Sequence, residues 1–148
     1  MTNSPHSETT TDGIRIHAAA EFLPQESLPQ DFAANDQGNQ PNFVFRYKIT
    51  MTNVGTGTAR LLSRHWVIVD GDGRREDVRG RGVVGEFPKL GASESYSYVS
   101  FCPLNAPWGT MEGSFTFERD DGTRFQAKVG RFFLVPTAPP LRLESPSR

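Results

Sequence analysis

The stretch FVFRYKITMTN, residues 43–53, alternates in character: Phe43, Phe45, Tyr47, Ile49 and Met51 share one parity, while Arg46, Lys48, Thr50 and Thr52 share the other. A helix, with its period of 3.6, would scatter those apolar side chains around its axis, whereas a strand gathers them on one face. The pattern commits the chain to a sheet with one face on a core and the other in water. Further segments repeat the theme. In GIRIHAAAEF, Ile14 and Ile16 alternate with Arg15 and His17, and LLSRHWVIVD is rich in β-branched and aromatic residues. Tyr96 and Tyr98 are in phase in SESYSYVSF, as are Phe115 and Phe117 in GSFTFE and Phe125, Ala127 and Val129 in TRFQAKVGRFFLV. Turn signals in NVGTGT, DGDG, PLNAPWG and DDG separate these runs. No window supports a helix, because Gly, Pro or β-branched clusters recur throughout. About seven short strands without a disulfide framework predict an all-β, antiparallel sandwich of the immunoglobulin-like or fibronectin type III-like kind.

A length of 148 residues suits one domain, which buries roughly 70% of the surface its unfolded chain exposes. The polar start, MTNSPHSETTTD, reads as a disordered tail over 1–12, and the proline-rich TAPPLRLESPSR as a second over 137–148, leaving 13–136 as the folded domain. Between Pro24 and Pro41 the chain is polar and reads as a long loop. No apolar run approaches the roughly 18 residues that cross a bilayer. The N-terminus also lacks the basic and apolar regions of a secretion signal, so the expected location is the cytoplasm. Cys102 is the single cysteine; it cannot form an intrachain disulfide and reads as a small buried apolar residue. The net charge of −1 lacks the basic excess of a nucleic-acid or membrane binder, so neither partner is favoured.

Gly80, Gly82 and Gly85 in GRGVVGEFP have the spacing of a dinucleotide-binding loop. That motif works by delivering a pyrophosphate to a helix N-terminus. Here Pro88 and Gly91 interrupt any following helix, and the position about 20 residues on, where an acidic residue should hold the ribose, is Asn105. A P-loop is excluded as well, since Glu86 and Phe87 stand where Lys and Ser or Thr are required. Two readings remain. Backbone N–H groups could form an anion nest for phosphate or pyrophosphate, with Arg79 and Arg81 beside it. Alternatively the glycines permit positive φ at a bend while Val83, Val84 and Phe87 pack inward. Between Arg64 and Lys89 six basic residues face five acidic ones, a balance that draws anions weakly and favours the bend.

The histidines, His6, His17 and His65, show no metal-ligand spacing, and DGDGRRED places arginines where a calcium loop needs ligands and glycine. No metal or cofactor is expected. His65 could be a general base, yet no nucleophile or orienting carboxylate is recognisable near it in sequence; it reads as a hydrogen-bonded side chain beside Trp66. Trp66 reads as core, and Trp108, in the loop PLNAPWG, as the tryptophan exposed for a partner. No catalytic constellation emerges. The expectation is a non-enzymatic module that binds an unidentified protein, with small-anion binding as the alternative.

Three segments resemble the ApaG family: Arg64 to Trp66 followed by V-x-G-x-G-V-V-G-E-x-P over Val78 to Pro88, G-x-M-x-G at Gly109, Met111 and Gly113, and the closing FQAKVGRFFLV. The resemblance covers most of 13–135 and implies a fibronectin-type β-sandwich. It implies no established enzymatic activity, a link to cobalt and magnesium tolerance, and kinship with domains of F-box and polymerase-interacting proteins that resemble protein-interaction modules. It also carries the family's proposed pyrophosphate site onto Gly80, Gly82 and Gly85. One departure is the segment between Leu23 and Asn42, which is longer than the family pattern.

Overall fold

The computed structural model describes residues 5–24, 27 and 43–136. Each alternating segment forms a strand: β2 (Ile14–Phe22), β3 (Phe43–Asn53), β4 (Ala59–Asp70), β7 (Ser95–Leu104), β8 (Gly109–Arg119) and β9 (Arg124–Leu134). Three strands had no counterpart in the sequence pattern: β1 (His6–Thr11), β5 (Arg75–Arg81) and the two-residue β6 (Lys89–Leu90). Among the described residues there is no α-helix.

Two antiparallel sheets result, one in the order β1-β2-β3-β7 and the other β5-β4-β8-β9, with β6 also pairing β4. The expectation of an all-β antiparallel sandwich is borne out. Phe45, Tyr47, Ile49 and Met51 are buried, while Arg46 and Lys48 on the other parity are exposed. Trp66 sits at the centre of the core, with ring centroids 5.5 Å from Tyr47, 5.8 Å from Phe115 and 6.1 Å from Phe132. Edge-on geometries between these rings use the positive edge of one against the negative face of another. Asn53 is the one buried polar residue among those described. Its Nδ2 donates to Gly57 O (2.7 Å) and Leu90 O (3.0 Å), and its Oδ1 accepts from Gly55 N–H (3.0 Å), tying the β3–β4 turn to β6.

The proposed tail over 1–12 is corrected in part. From His6 the chain pairs with β2 in the register Thr11↔Ile14 to His6↔Ala19. The cause is the dipeptide Asp12-Gly13, whose φ values of +48° and +85° make a two-residue turn matched to the twist of a hairpin. β1 then crosses to the other sheet: Ser7 Oγ donates to Gly130 O (2.7 Å), and Thr11 Oγ1 accepts from Lys128 N–H (3.2 Å). One side of the sandwich is thereby closed by β1 against β9. On the other side β7 faces β4 and β5 across an open seam. The tail over 137–148 and nearly all of the loop between Pro24 and Pro41 lie outside the described residues.

Candidate functional site

The glycine motif falls at the end of β5 and in the tight turn beyond it. Val83 and Glu86 exchange N–H···O bonds of 2.9 and 2.8 Å across Val84 and Gly85, whose φ values are +42° and +83°. This is a two-residue hairpin turn with both central residues in the left-handed region. Gly82, at φ +65°, donates its N–H to Leu62 O (2.9 Å), and a Cβ there would stand 2.5 Å from Glu86 O. Gly80 has no side chain because the Arg64 guanidinium lies over it. From that position Arg64 Nη1 donates to Arg81 O (3.1 Å) and Gly82 O (2.8 Å). Each glycine thus has a backbone or packing reason. The N–H groups of Gly82, Val83 and Glu86 are engaged by carbonyls of the chain itself, while those of Val84 and Gly85 at the tip of the turn have no acceptor among the described residues.

Val83 is buried as expected, but Val84 and Phe87 are corrected: they are exposed. Val84 is the tip of the turn, and Phe87 lies beside Gly82 beneath the Arg81 guanidinium, 5.4 Å from the ring centroid. Arg81 therefore stays beside the loop. Arg79 turns to the outer face of its sheet, where its nearest acidic partner is Asp77 at 4.0 Å.

His65 does have an orienting carboxylate, which the sequence hid. The β4–β5 register pairs His65 with Arg79 and Val67 with Asp77, bringing Asp77 Oδ2 to 2.8 Å from His65 Nε2. Arg75 clasps the same carboxylate at 2.8 and 3.2 Å. Arg75 first and His65 second hold the Asp77 carboxyl well below the usual carboxylate range. Ser114 faces His65 in register on β8, but no hydrogen bond joins the two among the described residues. With both His65 and Asp77 about a third exposed on an open sheet face, the cluster is a surface ion-pair network without an activated nucleophile.

Trp108 is 43% exposed, yet its indole is tied down: it stacks on Phe133 (6.3 Å between centroids, 17° between planes) and covers Gly71, whose N–H donates to Trp108 O at 2.8 Å. Cys102 is buried, and burial, helped by the Glu76 carboxylate, pushes its thiol up to about 12, so it is inert at neutral pH. No cluster of three or more His, Cys, Asp or Glu placed for a metal ion exists among the described residues. No helix there is long and apolar enough to cross a membrane.

A feature that alternation alone does not reveal is the fate of the sheet edges. β1 and β9 close on each other, and β5 is charged at five of its seven residues. β7 is different: ten residues, SYSYVSFCPL, with no charged side chain and with Val99 (37%) and Phe101 (58%) exposed on its outer face. Between β7 and β5 the seam opens as a cleft of about 290 Å³, bounded by Arg64, Trp66, Val78, Ser100, Cys102 and Met111. A depression of about 330 Å³ extends it past Ile68, Glu76 and Pro103.

Comparison with known proteins places this arrangement. The family model for the ApaG domain matches residues 33–119. Protein ApaG of Aromatoleum aromaticum is 43% identical over 129 residues, covering 87% of this chain and 94% of its own, and Protein ApaG of Azoarcus is 44% identical over the same extents. A crystal structure of a Bordetella pertussis protein described as ApaA superposes with a TM-score of 0.72 at 34% identity, covering 88% of this chain and 94% of that one. By the matched domain and by identity over most of its length, the chain belongs to the ApaG domain family.

Proposed function

We propose that the chain is a non-enzymatic protein-binding module that receives an extended segment of its partner on the free edge of β7. The observation that carries this reading is the contrast between the edges. Long, uncharged edge strands pair readily with other chains, and proteins blunt the edges they do not use with charge or by covering them. Here β5 is blunted by charge and β1 and β9 by mutual packing, while β7, interrupted only by Pro103 near its end, carries Val99 and Phe101 in the open. Strand addition supplies affinity through main-chain hydrogen bonds and specificity through alternate side chains. A free buried thiol at Cys102 suits the cytoplasm, the compartment we assign, and any bearing on cobalt or magnesium tolerance would run through the partner.

The test is affinity capture from native lysate with the wild-type chain and with a Val99→Lys, Phe101→Lys variant of matched melting temperature. Proteins retained by the wild type and lost from the variant support the reading. An identical set from both would end it.

A further inference from the structure

The seam beside β7 has a chemical order of its own. Residues of β5 that face the seam alternate as Glu76, Val78 and Gly80, and over Gly80 lies the Arg64 guanidinium. Along the inner face of β5 the order therefore runs from the Glu76 carboxylate through Val78 to the Arg64 guanidinium, in steps of two residues, the repeat of an extended strand, with Asp70, Arg74 and Arg75 beside the Glu76 end. Neither Glu76 nor Arg64 forms an ion pair with another side chain among the described residues; Arg64 is held only by two neutral carbonyls. The apolar step is floored by Trp66, 3% exposed, whose Nε1 is buried without a hydrogen-bond partner there. The Tyr98 hydroxyl is buried beside it.

The direction of β7 is fixed too. Pro103, Leu104 and Asn105 lie by Arg74, Arg75 and Glu76, and Ser100 lies by Arg64 and Val78, so β7 runs antiparallel to β5 across the seam. A strand added antiparallel to β7, the slightly more stable pairing, meets Glu76 first and Arg64 last. Its side chains facing the seam cover the inner face of β5, and those between them lie beside Val99 and Phe101.

We infer, resting on the strand-addition reading, that the partner is an extended segment whose alternate residues, from its N-terminus, are basic, apolar and acidic, with β-branched or aromatic residues between them. The basic group meets Glu76, the apolar one Val78 and Trp66, and the carboxylate Arg64. Cross-strand pairs favour aromatic and β-branched neighbours for Val99 and Phe101.

The experiment is an NMR titration of the isotope-labelled full chain with nine-residue peptides centred on Lys-Ile-Val-Tyr-Glu and on the charge-swapped Glu-Ile-Val-Tyr-Lys. The first should give saturable shifts confined to β7 and β5 and bind roughly tenfold more tightly than the second; Glu76→Lys should erase or reverse that preference. Equal binding of both peptides at β7 overturns the charge order and leaves strand addition standing. Tighter binding of the swapped peptide overturns the antiparallel direction. Absence of shifts at β7 with either peptide overturns the inference, and only a capture experiment insensitive to the Val99 and Phe101 substitutions removes the underlying reading as well.

Discussion

The Arg64 guanidinium occupies the space where residue 80 would carry a side chain: a Cβ on Gly80 would stand 2.6 Å from one terminal nitrogen and 2.8 Å from the other. The two residues form one device, since Arg64 uses that position to hold the carbonyls of Arg81 and Gly82. Gly80→Ala should cost about 1–2 kcal/mol by displacing the guanidinium, a figure kept modest because the clash is with the end of a flexible side chain. In an Arg64→Ala background the same change should cost little, because the obstacle has gone and alanine suits a strand better than glycine. Urea denaturation of the four proteins gives the coupling, expected at about 1 kcal/mol or more. Strict additivity would show that the two residues are independent.

The other two glycines separate backbone geometry from ligand binding. Gly82→Ala meets a backbone oxygen at 2.5 Å with φ at +65°, so it should lose roughly 2–4 kcal/mol. Gly85→Ala, at φ +83° in open space, should lose only about 1 kcal/mol. Val84 is a β-branched residue at φ +42°, where Asn is favoured ahead of Gly. Val84→Asn should therefore raise stability by about 0.5–1 kcal/mol. Thermal melts in the presence and absence of pyrophosphate check this series: pyrophosphate that stabilises the wild type, with Gly82→Ala keeping its melting temperature but losing that response, would favour the anion reading over the geometric one.

The sheet faces were legible because burial enforces period two: the parity of Phe45, Tyr47, Ile49 and Met51 in the sequence is their parity in the core. β5 was not legible, since an edge strand written REDVRGR has no apolar face to betray it and is held by its backbone ladder to β4. β1 looked like a polar tail, although Asp12-Gly13 between two segments of β character is a hairpin signal. The His65–Asp77 contact was hidden for a related reason: twelve residues separate the two, and only the register of a hairpin closing at Asp70 to Arg74 brings them together. The motif glycines were visible as a pattern, and positive φ at Gly82 and Gly85 is what such a pattern offers, but the cause at Gly80, a guanidinium from the neighbouring strand, is a tertiary fact.

Asp77 gives the fold an acid-sensitive contact. Its carboxyl is held below its ordinary value of 3.8 by Arg75 and His65, so the folded state binds its proton less readily than the unfolded chain. Stability from this contact is then fully present above pH ~4 and is lost as the pH falls toward the lower folded value. Asp77→Asn should be less stable than wild type at pH 7, and the gap should narrow progressively as the pH falls below about 4. Because the carboxylate is solvent-exposed, added salt should narrow the gap at neutral pH as well. A gap of constant size down the acid limb would mean that the substitution acts through packing and not through charge.

Trp108 was the tryptophan expected to await a partner, and its surroundings argue for a structural role. The indole covers Gly71 and stacks on Phe133, so it bridges the β4–β5 turn to β9. Trp108→Ala should cost about 1–2 kcal/mol, less than a buried tryptophan because 43% of the residue is already in water. Gly71→Ala should cost a similar amount by lifting the indole away, and the two changes should be markedly less than additive. Binding of a β7 partner should survive both, since Trp108 is not among the residues bounding the cleft between β7 and β5. Loss of partner binding from Trp108→Ala at unchanged stability would move the interaction surface from the β7 edge to this end of the sandwich.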